Sequence, residues 1–155
     1  MSEKKAKEQR KAQKTARYKV ESLTIKANAL RALFMSQGMS RLMDITDIDP
    51  ALKLRLLMAT KKLDEVYQDV EKVRQGIIEE HSEKDKNGNP VKDENNIIQF
   101  GTSRKTAMDK LDVLLNEEME IEGGKLVLKM GDLPQKHLST RDLFDLSLMM
   151  EVIED

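Results

Sequence analysis

The chain has 155 residues, of which 35% are charged and 39% hydrophobic, a balance that predicts a single domain with one modest core. It contains no cysteine, which excludes disulfides, thiolate catalysis and thiolate metal sites, and no apolar run approaches the roughly 20 residues of a membrane span. The net charge is −1, yet residues 1–19 hold eight basic and two acidic side chains, whereas residues 137–155 hold five acidic ones and one arginine.

The first predicted element is a long helix that starts near Gln9. Its stripe of residues at alternating steps of four and three is polar at first and becomes apolar from Val20 onward, through Gln13, Ala16, Val20, Leu23, Ala27, Leu30 and Phe34. Residues 1–17 are therefore predicted to form a basic N-terminal arm, either a helical extension or disordered. Residues 18–155 are predicted to form one helical domain.

The basic side chains of this arm are candidate contacts for nucleic acid or another anion, because clustered Lys and Arg neutralise phosphates without reading base sequence. They are Lys4, Lys5, Lys7, Arg10, Lys11, Lys14 and Arg17. The alternative is a solvated helix start, and the lack of interleaved aromatic residues argues against base stacking.

A second helix is predicted to begin at Asp49 and Pro50, since Asp is a good N-cap and Pro suits the first helical position. From Leu52 to Ile77 the apolar residues keep the same four-three alternation. We expect the two helices to form a long antiparallel hairpin. Their candidate seam residues, which pair either within one molecule or with a partner, are Val20, Leu23, Leu30, Phe34, Leu56, Leu63, Val70 and Ile77.

The remaining segments predict shorter elements. Residues 82–90 are dense in turn formers, with Asn87-Gly88 suited to a positive φ, and residues 96–100 read as a strand or a core plug. Thr102 or Ser103 caps a third helix whose buried side is Ala107, Met108, Leu111, Leu114 and Leu115.

Two alternating segments flank Gly123-Gly124 and predict a β-hairpin at about 119–130. A capping box at Ser139 predicts a closing helix with Leu143, Leu146, Met150 and Ile153 on its apolar side. The predicted fold is thus mainly α with a small β-hairpin: a long antiparallel helical hairpin plus two shorter helices.

The chain offers little that suggests catalysis. A calcium loop starting at Asp85 would need Gly where Pro90 stands and Glu where Asn96 stands. His81 and His137 lack a second ligand at helical spacing, and Gly123-Gly124 lacks the Lys-Ser/Thr of a phosphate loop. We therefore predict a protein that is not an enzyme and that uses no metal or cofactor.

The order of these features resembles that of small uncharacterised proteins encoded by tailed bacteriophages and prophages. It is carried by the capped heptad helix, the Lys-Asp-x-x-Gly-Asn-Pro-type turn at 84–90, Glu94 through Ile98-Gln99-Phe100, a Glu-Met-Glu-Ile strand at 118–121 and the acidic closing segment 138–155. It covers roughly residues 52–155. The resemblance implies a phage origin and a non-enzymatic role in the virion or against a host protein.

These features favour a phage-type protein–protein interaction or virion accessory protein that binds another protein or itself. One alternative is a nucleic-acid-binding accessory that uses the basic N-terminal arm. Another is an inhibitor of a host enzyme whose acidic C-terminal helix mimics charge, through Asp142, Asp145, Glu151, Glu154 and Asp155. With no signal peptide and no membrane span in the pattern, we expect the host cytoplasm or the virion and no membrane partner.

Overall fold

A three-stranded mixed sheet and five α-helices make up the part of the chain that the computed structural model describes, which is Glu3 and residues 18–154. The elements in chain order are β1 (Lys19–Lys26), α1 (Ala27–Met35), α2 (Gln37–Asp44), α3 (Pro50–His81), α4 (Arg104–Leu115), β2 (Glu118–Lys129), α5 (Thr140–Leu146) and β3 (Met150–Ile153). Short 3-10 helices lie at Gly101–Ser103, Met130–Asp132 and Gln135–His137.

The sheet has the order β1-β2-β3, with β1 antiparallel and β3 parallel to the central strand. Its inner side places Ile121, Leu126 and Leu128 in the main hydrophobic core with residues from α1, α2, α3 and α5. Its outer side is charged: the Lys125 amine lies 3.1 Å from a Glu151 oxygen and 3.8 Å from one of Glu21. The core is therefore one-sided, with the helices on the apolar side of the sheet.

The predicted first helix is wrong from Lys19 to Lys26, because these residues, Val20 and Leu23 among them, form β1. The pairing register shifts between Glu21 and Leu23, and this irregularity puts Val20 and Leu23, three residues apart, on the same side of the strand. The three-residue spacing of Val20 and Leu23 therefore resembles that of a helix, although the backbone of this segment is hydrogen-bonded to β2. The earlier stripe residues Gln13 and Ala16 lie outside the described residues.

The long antiparallel helical hairpin is also wrong. Among the described residues of the first predicted helix, from residue 18 onward, the helical ones are the nine of α1, which ends before Ser36. The Ser36 hydroxyl then accepts the Met39 N–H at 3.2 Å and starts the separate helix α2. Two short helices in this place cannot run along the full length of α3, and the sheet covers much of its apolar side instead.

The second predicted helix is confirmed as α3, of 32 residues, with Pro50 in its first turn. The Asp49 carboxylate accepts the Ala51 N–H at 3.0 Å, as expected of an N-cap. At about 1.5 Å per residue the helix is about 48 Å long. Its buried stripe is Leu52, Leu56, Ala59, Leu63 and Val70.

The predicted β-hairpin at 119–130 is wrong, because β2 runs through Gly123-Gly124 as one strand of 12 residues. Gly123 adopts a φ of +74° and makes an irregularity within the strand, not a reversal of the chain. At Gly124 a Cβ would lie 3.0 Å from the Leu63 Cδ2. The glycine pair therefore lets α3 cross the strand closely. The residues on the two sides of the pair are hydrogen-bonded to β1 and β3, and not to each other as in the predicted hairpin.

The closing helix is shorter than predicted. Leu143 and Leu146 lie in α5, but Met150 and Ile153 lie in β3, beside the edge of β2. The capping box is confirmed, since the Ser139 hydroxyl accepts the Asp142 N–H at 3.1 Å and Asp142 accepts the Ser139 N–H at 2.9 Å.

Asp142 also joins α5 to α2. It is 2% exposed, and its Oδ2 accepts a hydrogen bond from the Arg41 Nη1 at 2.8 Å. The Ser139 N–H, followed by the Arg41 guanidinium, holds the pKa of Asp142 below its ordinary value.

We expect Asp142→Asn to lower the Tm by a few degrees at pH 7, because the ionised carboxylate is the better acceptor for both donors. A depressed folded-state pKa stabilises the fold above the unfolded value, near 3.8, and this contribution is lost as the pH falls through the folded pKa. The difference in Tm between the two proteins should therefore shrink below about pH 4. Thermal unfolding followed by circular dichroism from pH 3 to 7 measures it. Asp145→Asn, with the same charge change on the same helix, is the control, and an equal loss there would contradict the assignment.

Candidate protein-interaction groove on the α3–α4 projection

The C-terminal part of α3 extends beyond the main core. That core includes Leu56 and Leu63 of α3, with Val66 and Tyr67 packed against it, and then no residue until Met119. We call residues 72–117 the projection. It consists of the last ten residues of α3, about 15 Å of helix, the connection to α4, and α4 itself.

An ion-pair network lies at the base of the projection. The Glu71 carboxylate accepts hydrogen bonds from Arg74 at 3.0 Å, one turn along α3, and from the Arg31 Nε of α1 at 2.7 Å. Hydrogen bonding from Arg74, with that from Arg31, keeps the pKa of Glu71 below its ordinary value despite partial burial. The network joins α3 to α1 at the point where α3 leaves the core.

Two successive backbone-paired loops form the outer end of the projection. In the first, the Asp85 Oδ1 accepts the N–H groups of Asn87 and Asn89 at 2.9 and 3.0 Å. Eight residues later the Asp93 Oδ1 accepts those of Asn95 and Ile97, both at 2.9 Å. The predicted turn is confirmed, with Gly88 at φ +78° and Asn96, its counterpart in the second loop, at +65°. Each aspartate oxygen binds backbone N–H groups, so these loops are structural.

An apolar groove runs between the two helices of the projection. Its floor and walls are Val73 and Ile77 of α3 with Val113 and Leu114 of α4, and its rim carries Asp109, Lys110 and Glu117. Its volume is about 530 Å³. We call it the α3–α4 groove.

The groove leaves large apolar side chains in contact with solvent. Val73 is 51% exposed and Val113 is 72% exposed. In α4 only Ala107 is buried, although the helix also carries Met108, Leu111, Leu114 and Leu115. A helix with so little of its apolar surface covered has remaining surface available to another apolar partner.

Gly76 lies on the same side of α3, between Val73 and Ile77. Among the described residues, and apart from its chain neighbours and the backbone of its own helix turns, no atom lies within 4 Å of the position that its Cβ would occupy. A glycine in an exposed helix interior costs about 1 kcal/mol relative to alanine, and no side chain of the described residues packs against this one. The helix backbone is accordingly open to close approach from outside at this point.

The predicted seam residues are distributed among different environments. Leu30, Leu56 and Leu63 lie in the core, Val70 is buried, and Val20 and Leu23 face the core from β1. Phe34 stacks on Tyr67 with ring centroids 4.6 Å apart. Of the eight predicted seam residues, Ile77 alone lines the groove. The sequence analysis did not identify Val113 as a site residue. The signal that could have identified it is an apolar residue outside the predicted buried side of α4.

The other predicted sites are the basic arm and the acidic C-terminal residues. Lys4, Lys5, Lys7, Arg10, Lys11, Lys14 and Arg17 all lie outside the described residues. Of the acidic residues proposed as a charge mimic, Asp142 is buried against Arg41, and Glu151 lies on β3 next to Lys125. Among residues 18–154, no three His, Asp or Glu side chains are grouped so as to hold a metal ion.

Helices α1 to α5, those that the structure describes, include none with the combination of length and apolarity that crossing a bilayer requires. No protein-family model, no curated protein and no solved structure matches the chain significantly. The groove geometry is therefore the main guide to function.

Proposed function

We propose that this chain is a non-enzymatic interaction protein and that the α3–α4 groove receives an apolar helix of a binding partner. The observation that carries the proposal is the exposure of Val73 and Val113 on neighbouring helices that together line one apolar groove. Grooves of this kind bind amphipathic helices, which insert side chains spaced at three and four residues. The bacteriophage resemblance of the sequence favours a role as a virion accessory or host-directed protein, in the virion or the host cytoplasm.

The rim of the groove supports a protein partner over a small apolar molecule. Asp109, Lys110 and Glu117 place charges of both signs around an open apolar strip. This is the usual arrangement of a protein interface, with an apolar centre and a polar rim. The charged rim then orients a partner helix, and the apolar centre supplies most of the affinity.

We expect Val73→Lys to weaken groove binding by about tenfold or more, because it buries an unpaired ammonium group in the interface. The probe is a synthetic amphipathic helical peptide with Leu at positions i, i+3, i+4 and i+7. Binding is followed by NMR of the Val, Leu and Ile methyl groups, at protein concentrations where the chain is monomeric. The unfolding free energy should change by less than about 1 kcal/mol, since the Val73 side chain is already half exposed.

Leu54→Lys is the matched control, because Leu54 lies on the same helix with a similar exposure of 57%, against 51% for Val73, but outside the groove. It should leave peptide binding unchanged. Peptide-induced chemical-shift changes spread over the whole surface would contradict the proposed function. So would an equal loss of peptide affinity in both variants.

A further inference from the structure

Two residues of opposite charge, Lys72 and Glu80, flank Gly76 on α3 and indicate which helix occupies the α3–α4 groove. Lys72 lies four residues before Gly76 and Glu80 four residues after it. Residues at this spacing follow one side of a helix, here about 6 Å on either side of Gly76. Both are exposed, Glu80 with 64% of its side chain in contact with solvent.

We propose, on the basis of the function proposed above, that the occupant is a second copy of this chain. The two α3 helices cross antiparallel at Gly76, about a two-fold axis. Such an axis places each Lys72 opposite Glu80 of the second copy, so the charge pattern is complementary to itself. A parallel alignment in register would instead oppose Lys72 to Lys72 and Glu80 to Glu80.

The shape of α3 agrees with the charges. Interhelical distances of 8–10 Å depend on the side chains at the crossing point, and Gly76 permits the closest approach. The open space around Gly76 allows the second α3 to reach Val73 and Ile77, which flank the glycine. Val113 and Leu114 of α4 then close over the contact from both copies. The result is a four-helix arrangement made of two α3 and two α4 helices.

Glu80 also has contacts within its own chain, the Lys110 amine at 3.5 Å and the His81 Nε2 at 3.8 Å. The pair with Lys110 is exposed and weak, and the contact with His81 is longer than a hydrogen bond, so the Glu80 carboxylate stays available to Lys72 of the second copy. Lys110, on the groove rim, extends the alternation of charge toward α4. The interface therefore has an apolar centre at Val73, Ile77 and Val113 with charges on both sides.

The test is a charge exchange measured by sedimentation velocity on the full chain over a range of concentrations. Wild-type protein should dimerise. Lys72→Glu and Glu80→Lys should each raise the dimer dissociation constant by about tenfold or more, because each opposes like charges twice across the axis. The double variant K72E/E80K should recover wild-type association. An equimolar mixture of the two single variants should form heterodimers, since every contact then joins opposite charges.

Lys61→Glu is the control, a charge reversal on the same helix outside the projection, and it should leave association unchanged. Wild-type protein that stays monomeric at its highest attainable concentration overturns the dimer. So do single variants that associate like wild type, or a mixture that fails to form heterodimers. Circular dichroism establishes that every variant is folded. A monomeric protein that still binds the amphipathic peptide at Val73 overturns this inference alone, whereas loss of peptide binding as well overturns the proposed function.

Discussion

Truncating Leu63 to alanine is expected to lower the free energy of unfolding by about 2–5 kcal/mol, because it removes most of a large side chain from the core. Leu63 is fully buried, and its Cδ2 lies against the open side of Gly124, where α3 crosses β2. Because the glycine has no side chain to move into the vacated space, the cavity would persist. The loss therefore combines the lost transfer free energy of the side chain with the cost of the cavity.

Urea denaturation followed by circular dichroism measures this change, at low protein concentration so that association does not contribute. Leu57→Ala is the control, because Leu57 lies on the same helix but is 44% exposed. Its cost should be well under half of that at Leu63. A Leu63→Ala protein within about 1 kcal/mol of wild type would contradict the crossing of α3 over Gly124.

Gly38→Ala and Gly76→Ala should change stability in opposite directions, although both glycines lie in helices. At Gly38 a Cβ would stand 2.8 Å from the Asp142 carbonyl oxygen and 3.1 Å from its Cα. These are backbone atoms of α5, so α2 and α5 must separate to admit a methyl group. We expect a loss of about 1–3 kcal/mol, as is typical of overpacking.

At Gly76 the same substitution meets no atom within 4 Å from the described residues outside its own stretch of helix. There we expect a gain of up to about 1 kcal/mol, from the higher helix propensity of alanine. Thermal unfolding of the two variants in parallel, at low concentration, checks both signs. Destabilisation at Gly76 together with tolerance at Gly38 would refute both the α2–α5 packing and the open position of Gly76.

Only part of the α3–α4 groove could be predicted from the sequence. Val73 and Ile77 stand correctly on the apolar stripe of α3, because a four-three alternation is a local property of one helix. The same pattern continues unchanged from buried Leu63 to exposed Val73. Periodicity states which side of a helix is apolar, but what covers that side depends on how far the neighbouring elements extend.

The sequence by itself determined the elements whose signals are local. Asp49 and Pro50 start α3, the capping box at Ser139 starts α5, and residues 82–90 end the long helix in a turn with Gly88 at positive φ. In each case the hydrogen-bond partners lie within a few residues, so a short stretch of chain contains all the information required.

Only the tertiary structure decided the sheet. Whether residues 19–26 become helix or strand depends on β2, about a hundred residues away, and a register shift between Glu21 and Leu23 lets the strand carry a helix-like spacing. Gly123-Gly124 reads locally as a hairpin turn, but contact with Leu63 and pairing with both β1 and β3 keep the strand continuous. A strand is hydrogen-bonded to segments that are distant in the sequence, and the packing of the whole chain determines which segment it pairs with.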